Sequence, residues 1–175
     1  MTLTTRIGNS RAQITSAVKA PAAGATFIIR PVRASDITLV TAIDERITGI
    51  RKAAYWADVF GRYSRQRAGE RFFFVAASPA KAAGQHVLGF IVGEIRAWEF
   101  GSAPCGWVFA LSVDPSVRLH GVGEALFEAL SAAFRKAGVN KMRTMVAQDN
   151  RLHLLFFRGE GMMAGPYIQL EKDLG

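Results

Sequence analysis

Val113-Asp114-Pro115-Ser116-Val117-Arg118-Leu119-His120-Gly121-Val122-Gly123-Glu124-Ala125-Leu126 is the stretch on which the reading of this chain turns. The apolar run before it, Trp107 to Val113, reads as a strand, and Asp114-Pro115 breaks that strand. After it, Val122, Leu126, Phe127, Leu130, Ala133 and Phe134 recur at helical spacing, which predicts a helix over 121–136. Two glycines at the helix start let the backbone approach a ligand closely. First-turn amides have no partner inside their own helix, and with the positive end of the helix dipole they favour a phosphate. Arg118 adds a full charge and can pair with a phosphate through two parallel bonds. A pyrophosphate is thus a natural ligand. A Walker A loop needs Gly, four residues, then Gly-Lys-Ser/Thr, and a dinucleotide fingerprint needs Gly-x-Gly-x-x-Gly; neither pattern is present. A plain tight turn would use the same Gly-x-Gly, so the loop alone leaves that reading open.

Working outward, Phe27 to Arg30 reads as a strand stopped by Pro31. Ser35 or Asp36 can cap a helix that reaches Thr48 and ends at Gly49. Tyr55 to Arg67 reads as a short helix, and 71–77, with three phenylalanines, as a buried strand. Residues 87–99 form a long strand pattern in which Gly89 and Gly93 mark bulge points. Downstream, 141–147 reads as a strand, 151–158 as a helix and 168–171 as a last strand. The order β-α-α-β-β-β-α-β-α-β mixes antiparallel hairpins with one crossover, an α+β fold with a mostly antiparallel central sheet flanked by helices. Residues 1–25 carry no acid and little apolar bulk, which predicts a flexible tail before a single domain over 26–175.

With 175 residues, half of them hydrophobic, the chain can bury a sizeable core. No apolar run approaches the roughly 18 residues of a membrane span. The single cysteine, Cys105, rules out an internal disulfide and fits a reducing compartment, so the expected location is cytoplasmic. The net charge is +8, of which residues 1–71 carry +7. Arg62, Arg65, Arg67 and Arg71 are the densest cluster, which reads as a solvated helix face or as attraction to acidic partners. Zinc-ligand spacing and aromatic-basic nucleic-acid signatures are both absent, so no specific nucleic-acid partner and no metal are expected.

Residues 113–126 resemble the coenzyme A motif of the GNAT N-acetyltransferase superfamily, Arg/Gln-x-x-Gly-x-Gly/Ala after a strand and a proline. Ile29 to Asp36 is similar to the first strand and helix cap of that family. Asn150 through Met162 resembles its Asn-x-x-Ala-x-x-x-Tyr-x-x-x-Gly-Phe segment. The resemblance covers about 27–172. It implies two neighbouring parallel strands that splay apart, with the pantetheine arm of acetyl-CoA in the gap. Main-chain groups of Leu111, Ser112 and Val113 would pair with that arm. Amides of Arg118, Leu119, His120, Gly121, Val122, Gly123 and Glu124 would hold the pyrophosphate. Asn150 would steady the arm, and Phe156 and Phe157 would pack against it, although both are also plain packing residues.

The implied reaction is direct attack of a primary amine, on a small molecule or peptide, on the thioester. An ammonium with a pKa near about 10.4 must first lose a proton, and a carboxylate can take it, often through water. Glu94 is the first candidate and Glu99 the second; each is alternatively a surface or ion-paired carboxylate, the favoured reading for Glu99. The Val113 amide could polarise the carbonyl. Trp56, Asp58 and Tyr63 fall where the family borders its acceptor site and could select substrate, although Trp56 is equally a packing residue. Phe157 stands where many relatives carry a tyrosine that protonates the leaving thiolate, and His153 replaces the usual small residue. Water, Tyr167 or the acceptor would then supply that proton. The alternative is a non-catalytic acyl-CoA-binding or sensor domain. A homodimer is the expectation from the family.

Overall fold

The computed structural model describes residues 27–65, 69–79, 86–118 and 120–175. Among them, five strands form one sheet in the order β1-β2-β3-β4-β5: β1 (Ile28–Pro31), β2 (Arg71–Ala77), β3 (Val87–Arg96), β4 (Cys105–Val113) and β5 (Met142–Thr144). The first three pairings are antiparallel and the last is parallel. Helices α1 (Ile37–Thr48) and α2 (Ala53–Arg65) precede β2, α3 (Val122–Lys136) joins β4 to β5, and α4 (Arg151–Gly159) follows.

Side chains alternate across a strand, so each strand feeds two cores. Val40 and Ile43 of α1 and Trp56 and Val59 of α2 cover one face with Phe73, Val75, Phe90 and Val92. Leu126, Leu130 and Phe134 of α3 cover the other with Ile91, Val108 and Leu111. Phe134 fits because Gly93 and Gly106 leave room: a Cβ on Gly93 would stand 2.9 Å from the ring tip, and one on Gly106 would enter the ring. Truncating Phe134 to alanine would cost about 3–5 kcal/mol.

Val108 and Leu111 face the same core although they are three residues apart. Simple alternation would put them on opposite faces. The register explains it: Val92 pairs Ala110 and Gly93 pairs Val108, which leaves Phe109 as an extra residue in β4. This bulge sends both Phe109 and Ala110 toward the α1–α2 face. A second register shift, between Ala76 and Ala77, leaves Leu88 as the extra residue beside Gly89. The glycines at 89 and 93 thus mark irregularities as expected.

Several expected boundaries move. Pro31 is the last residue of β1 rather than a stop, because among the described residues β1 pairs only with β2 and its outer side makes no demand for an N–H. β3 ends at Arg96, three residues short of the expected end. Asp36 occupies the N-cap of α1, but its side chain makes no capping bond: the carboxylate takes two bonds from the buried Arg30 guanidinium, at 2.6 and 2.9 Å, and one from the Arg33 N–H. Residues 168–171 form no strand, and Ile168 and Leu170 are exposed. A strand needs a partner, and alternating side chains alone do not provide one. Residues 1–26, which hold the expected tail, and 66–68, which hold Arg67, lie outside the described residues.

Candidate functional site

The pairing of β4 with β5 lasts three residues, Gly106–Met142 to Val108–Thr144. Thr144 Oγ1 donates to the Val108 carbonyl at 2.8 Å where the strands part. Beyond that point the β4 edge from Phe109 onward has no β5 partner, and a cleft opens. Val108 to Leu111 line one wall, Thr144 to Val146 the other, with His153 and Phe157 of α4 beside them. Only three of the seven residues expected in the last strand of this pair are paired, because the splay removes the remaining partners.

The loop after β4 is held by Asp114, a residue the sequence offered only as a strand breaker. Its carboxylate is buried. It accepts from the Ser116 N–H at 3.0 Å and from the Ser116 hydroxyl at 2.9 Å, and it pairs with Arg46 of α1 at 2.7 Å. Its own N–H bonds the Leu88 carbonyl. Burial pushes this carboxyl up, but the Ser116 bonds and the nearby Arg46 and His86 outweigh burial and hold it below its usual range. Gly121 then takes φ +75° as the α3 N-cap, a conformation that L side chains resist. Among the described residues, apart from its chain neighbours, no atom lies within 4 Å of where its Cβ would stand. The first i→i−4 bond of α3 runs from Ala125 to Gly121, so the amides of Val122, Gly123 and Glu124 precede it.

The residues expected to hold a pyrophosphate therefore divide. Gly121 is open to a ligand. The Val122 side chain is core, and only its amide is available to the loop. Gly123 is buried against α4, where an added Cβ would stand 3.0 Å from the Phe156 ring, so it serves helix packing. His120 folds its Nδ1–H back onto the Arg118 carbonyl at 2.8 Å. Arg118 and Glu124 are exposed. Leu119 lies outside the described residues. In β4, Leu111 is core and lines the cleft, whereas Ser112 and Val113 pair with Phe90 and Gly89 beyond its lining.

Asn150 caps α4: its Oδ1 accepts the His153 N–H at 3.2 Å. Its Nδ2 lies 2.8 Å from His153 Nδ1, so both ends of the amide are engaged within the chain. Phe156 packs on Gly123 and edge-on to Phe127, while Phe157 reaches the cleft. Tyr167 is not in the cleft; it is exposed, with the Arg143 guanidinium 4.6 Å over its ring.

A second pocket lies on the α1–α2 face of the sheet. It is lined by Tyr55, Arg62 and Tyr63 of α2, Glu94 and Arg96 of β3, and the bulged Phe109. Phe109 lines both pockets. Glu94 accepts from the Tyr63 hydroxyl at 2.6 Å and from Arg96 Nε at 3.1 Å, and Arg71 Nε is 3.9 Å away. Burial pushes the Glu94 carboxyl up, but these hydrogen bonds and charges outweigh it and hold it below the usual carboxylate range. Burial and the adjacent carboxylate push the Tyr63 phenol well up, so it keeps its proton. Glu99 is a surface residue with a 4.0 Å contact to Arg96. Trp56 is core, its Nε1–H bonded to Asp44, and Asp58 pairs with Arg62 on the α2 surface.

A sheet split between two parallel strands, with a glycine-capped helix following the first, sets an open strand edge beside the unpaired amides of a helix start. The chain belongs to the acetyltransferase (GNAT) family, whose model matches residues 40–161. It is an acyltransferase. The fold is similar to that of the aminoglycoside N-acetyltransferase AAC(6')-Iy in complex with CoA, at 16% identity and TM-score 0.71, covering 85% of this chain and 95% of that one. An acetyltransferase of Trypanosoma brucei matches at 22% identity and TM-score 0.64, over 85% and 99% of the two chains. Ard1 from Thermoplasma volcanium matches at 25% and 0.62, over 78% and 82%. No curated protein matches the sequence. Among the described residues, no helix is long and apolar enough to cross a membrane.

Proposed function

We propose that this protein is an N-acetyltransferase that moves an acetyl group from acetyl-CoA to a primary amine, with both substrates bound together. The observation that carries this reading is Phe109. One bulged residue walls both the cleft between β4 and β5 and the pocket containing Glu94. A thioester in the cleft and an amine in the pocket would meet at that residue, which is the positioning a direct transfer needs.

The chain's own groups fit acetyl-CoA. The unpaired β4 edge from Phe109 offers main-chain groups to an extended amide arm. The open Gly121 and the amides of Val122, Gly123 and Glu124 suit its pyrophosphate, with the exposed Arg118 beside them. The acetyl thioester supplies the activated acyl group. On the acceptor side, Glu94 is ionised at neutral pH and can attract an ammonium and pass its proton to water. Its lowered proton affinity makes it a weak base, so it works as transfer proceeds rather than before it. Tyr63 and Arg96 fix the direction of the carboxylate.

Calorimetry with acetyl-CoA and a thiol-release assay over amines with and without a neighbouring carboxylate test the reading; the panel varies charge because Arg62 and Arg96 line the pocket too. Binding with turnover of at least one amine is expected. No binding at high micromolar acetyl-CoA would sink the proposal.

A further inference from the structure

We propose that His153 is a catalytic residue, presenting a neutral Nε2–H to the coenzyme sulfur to stabilise the departing thiolate, and that Asn150 is the positioning residue that fixes its tautomer. The proposal rests on the acetyl-transfer reading above.

The tautomer follows from the helix cap. Asn150 Oδ1 must face the His153 N–H, because only the oxygen can accept that bond. The other end of the amide, 2.8 Å from His153 Nδ1, is then the NH2 group, which only donates. Nδ1 is therefore the acceptor, and the ring proton is on Nε2. The cap and the tautomer are set by one side chain.

The cleft supplies the second part. Of its nine lining residues, only Thr144 and His153 carry a side-chain hydrogen-bond donor. The Thr144 hydroxyl is committed to the Val108 carbonyl. His153 Nε2 has no hydrogen-bond partner among the described residues. Its ring lies beside Phe157, centroids 6.2 Å apart, and both rings line the cleft. Phe157 itself has nothing to donate.

In the transfer, the amine nitrogen forms a bond to the carbonyl carbon as the carbon–sulfur bond breaks and its electron pair stays on sulfur. The amine proton leaves to water near Glu94. His153 keeps its proton, since loss from a neutral imidazole would leave an unstable anion at neutral pH, and the thiolate is protonated from solvent. The histidine thus acts by hydrogen bonding to developing charge.

Two measurements need no turnover. Thiolate absorbance of bound coenzyme A, followed against pH, should titrate lower on the wild type than on His153→Phe. Nitrogen-15 NMR of the free protein should show His153 as the Nε2–H tautomer, and a tautomer mixture in Asn150→Ala. With an amine that turns over, His153→Phe should lower kcat about tenfold with the coenzyme KM unchanged. Adding Phe157→Tyr should restore part of the loss. Identical thiol titrations in wild type and variant, or an Nδ1–H tautomer in the wild type, would overturn the proposal. If His153→Phe fails to fold, the wild-type NMR result still decides. Failure of every amine to react would instead defeat the acetyl-transfer reading and leave both turnover-free measurements readable.

Discussion

The two halves of the site are built differently. The proposed coenzyme half comes mainly from one continuous stretch, the β4 edge, the loop and the first turn of α3, completed by α4. The proposed acceptor half is assembled from α2, β2 and β3, which meet only across the sheet: Tyr63, Arg71, Glu94 and Arg96 converge from separate elements. The first half would bind with backbone, whose direction is set by local geometry. The second would work with side chains, whose charges are set by neighbours distant in sequence. Damage to one should therefore be separable from damage to the other.

Glu94→Gln should break that comparison most sharply. It removes the charge and keeps the shape, so kcat should fall about 100-fold or more, with acetyl-CoA affinity by calorimetry unchanged. A fall in affinity would mean the halves are coupled through Phe109. Gly121→Val should do the reverse. The φ of +75° strains a branched side chain by about 1–3 kcal/mol. Acetyl-CoA affinity should drop about tenfold or more, while the acceptor KM holds; unchanged affinity would reject the loop as the phosphate site.

Asp114→Ala should cost about 1–2 kcal/mol as the loss of a cap and buried anchor, read as a lower midpoint in urea. Most of that comes from the Ser116 bonds, since Arg46 is half exposed. Acid should act through the same group and through Asp36, whose carboxyl Arg30 and Arg33 hold low against the upward push of burial. Both have folded values below their unfolded ones. Their stabilisation is full above about pH 4–5 and is lost as pH falls through the folded values. The melting temperature should thus be flat from about pH 5 to neutrality and fall below about pH 4, with a shallower fall in Asp114→Asn.

The smallest effect sharpens the assignment of Glu94. Because its carboxylate is held low, it is already charged throughout the neutral range. The rising limb of the pH–rate profile should track the acceptor amine and move when an amine of different pKa is used. A limb that stays fixed near neutrality across acceptors would assign the titration to a protein group.

Much of the fold was legible because its signals are local. The three phenylalanines of 71–77 and the apolar stripe of 122–134 name their elements from short-range pattern alone. The loop was legible because positive φ and unpaired first-turn amides belong to a strand–glycine–helix succession wherever it occurs. Residues 141–147 and 168–171 misled because the alternation that marks a strand does not report whether a partner strand is present. Glu94 was visible as a carboxylate on a strand, but the Tyr63 bond and the two arginines that lower its proton affinity were not. Nor did Trp56 differ, in sequence, from a substrate-contacting aromatic.

The sequence by itself determined the order of elements from β1 to α4, the glycine-capped start of α3 and the absence of a hydroxyl at Phe157. Only the tertiary structure decided that Phe109 is the bulged residue of β4, because in Cys105 to Val113 no residue type marks which position is extra; the register against β3 does. It also decided which proton His153 carries. That depends on the helical cap turning the Asn150 amide, and an amide's orientation is set by what surrounds it in three dimensions.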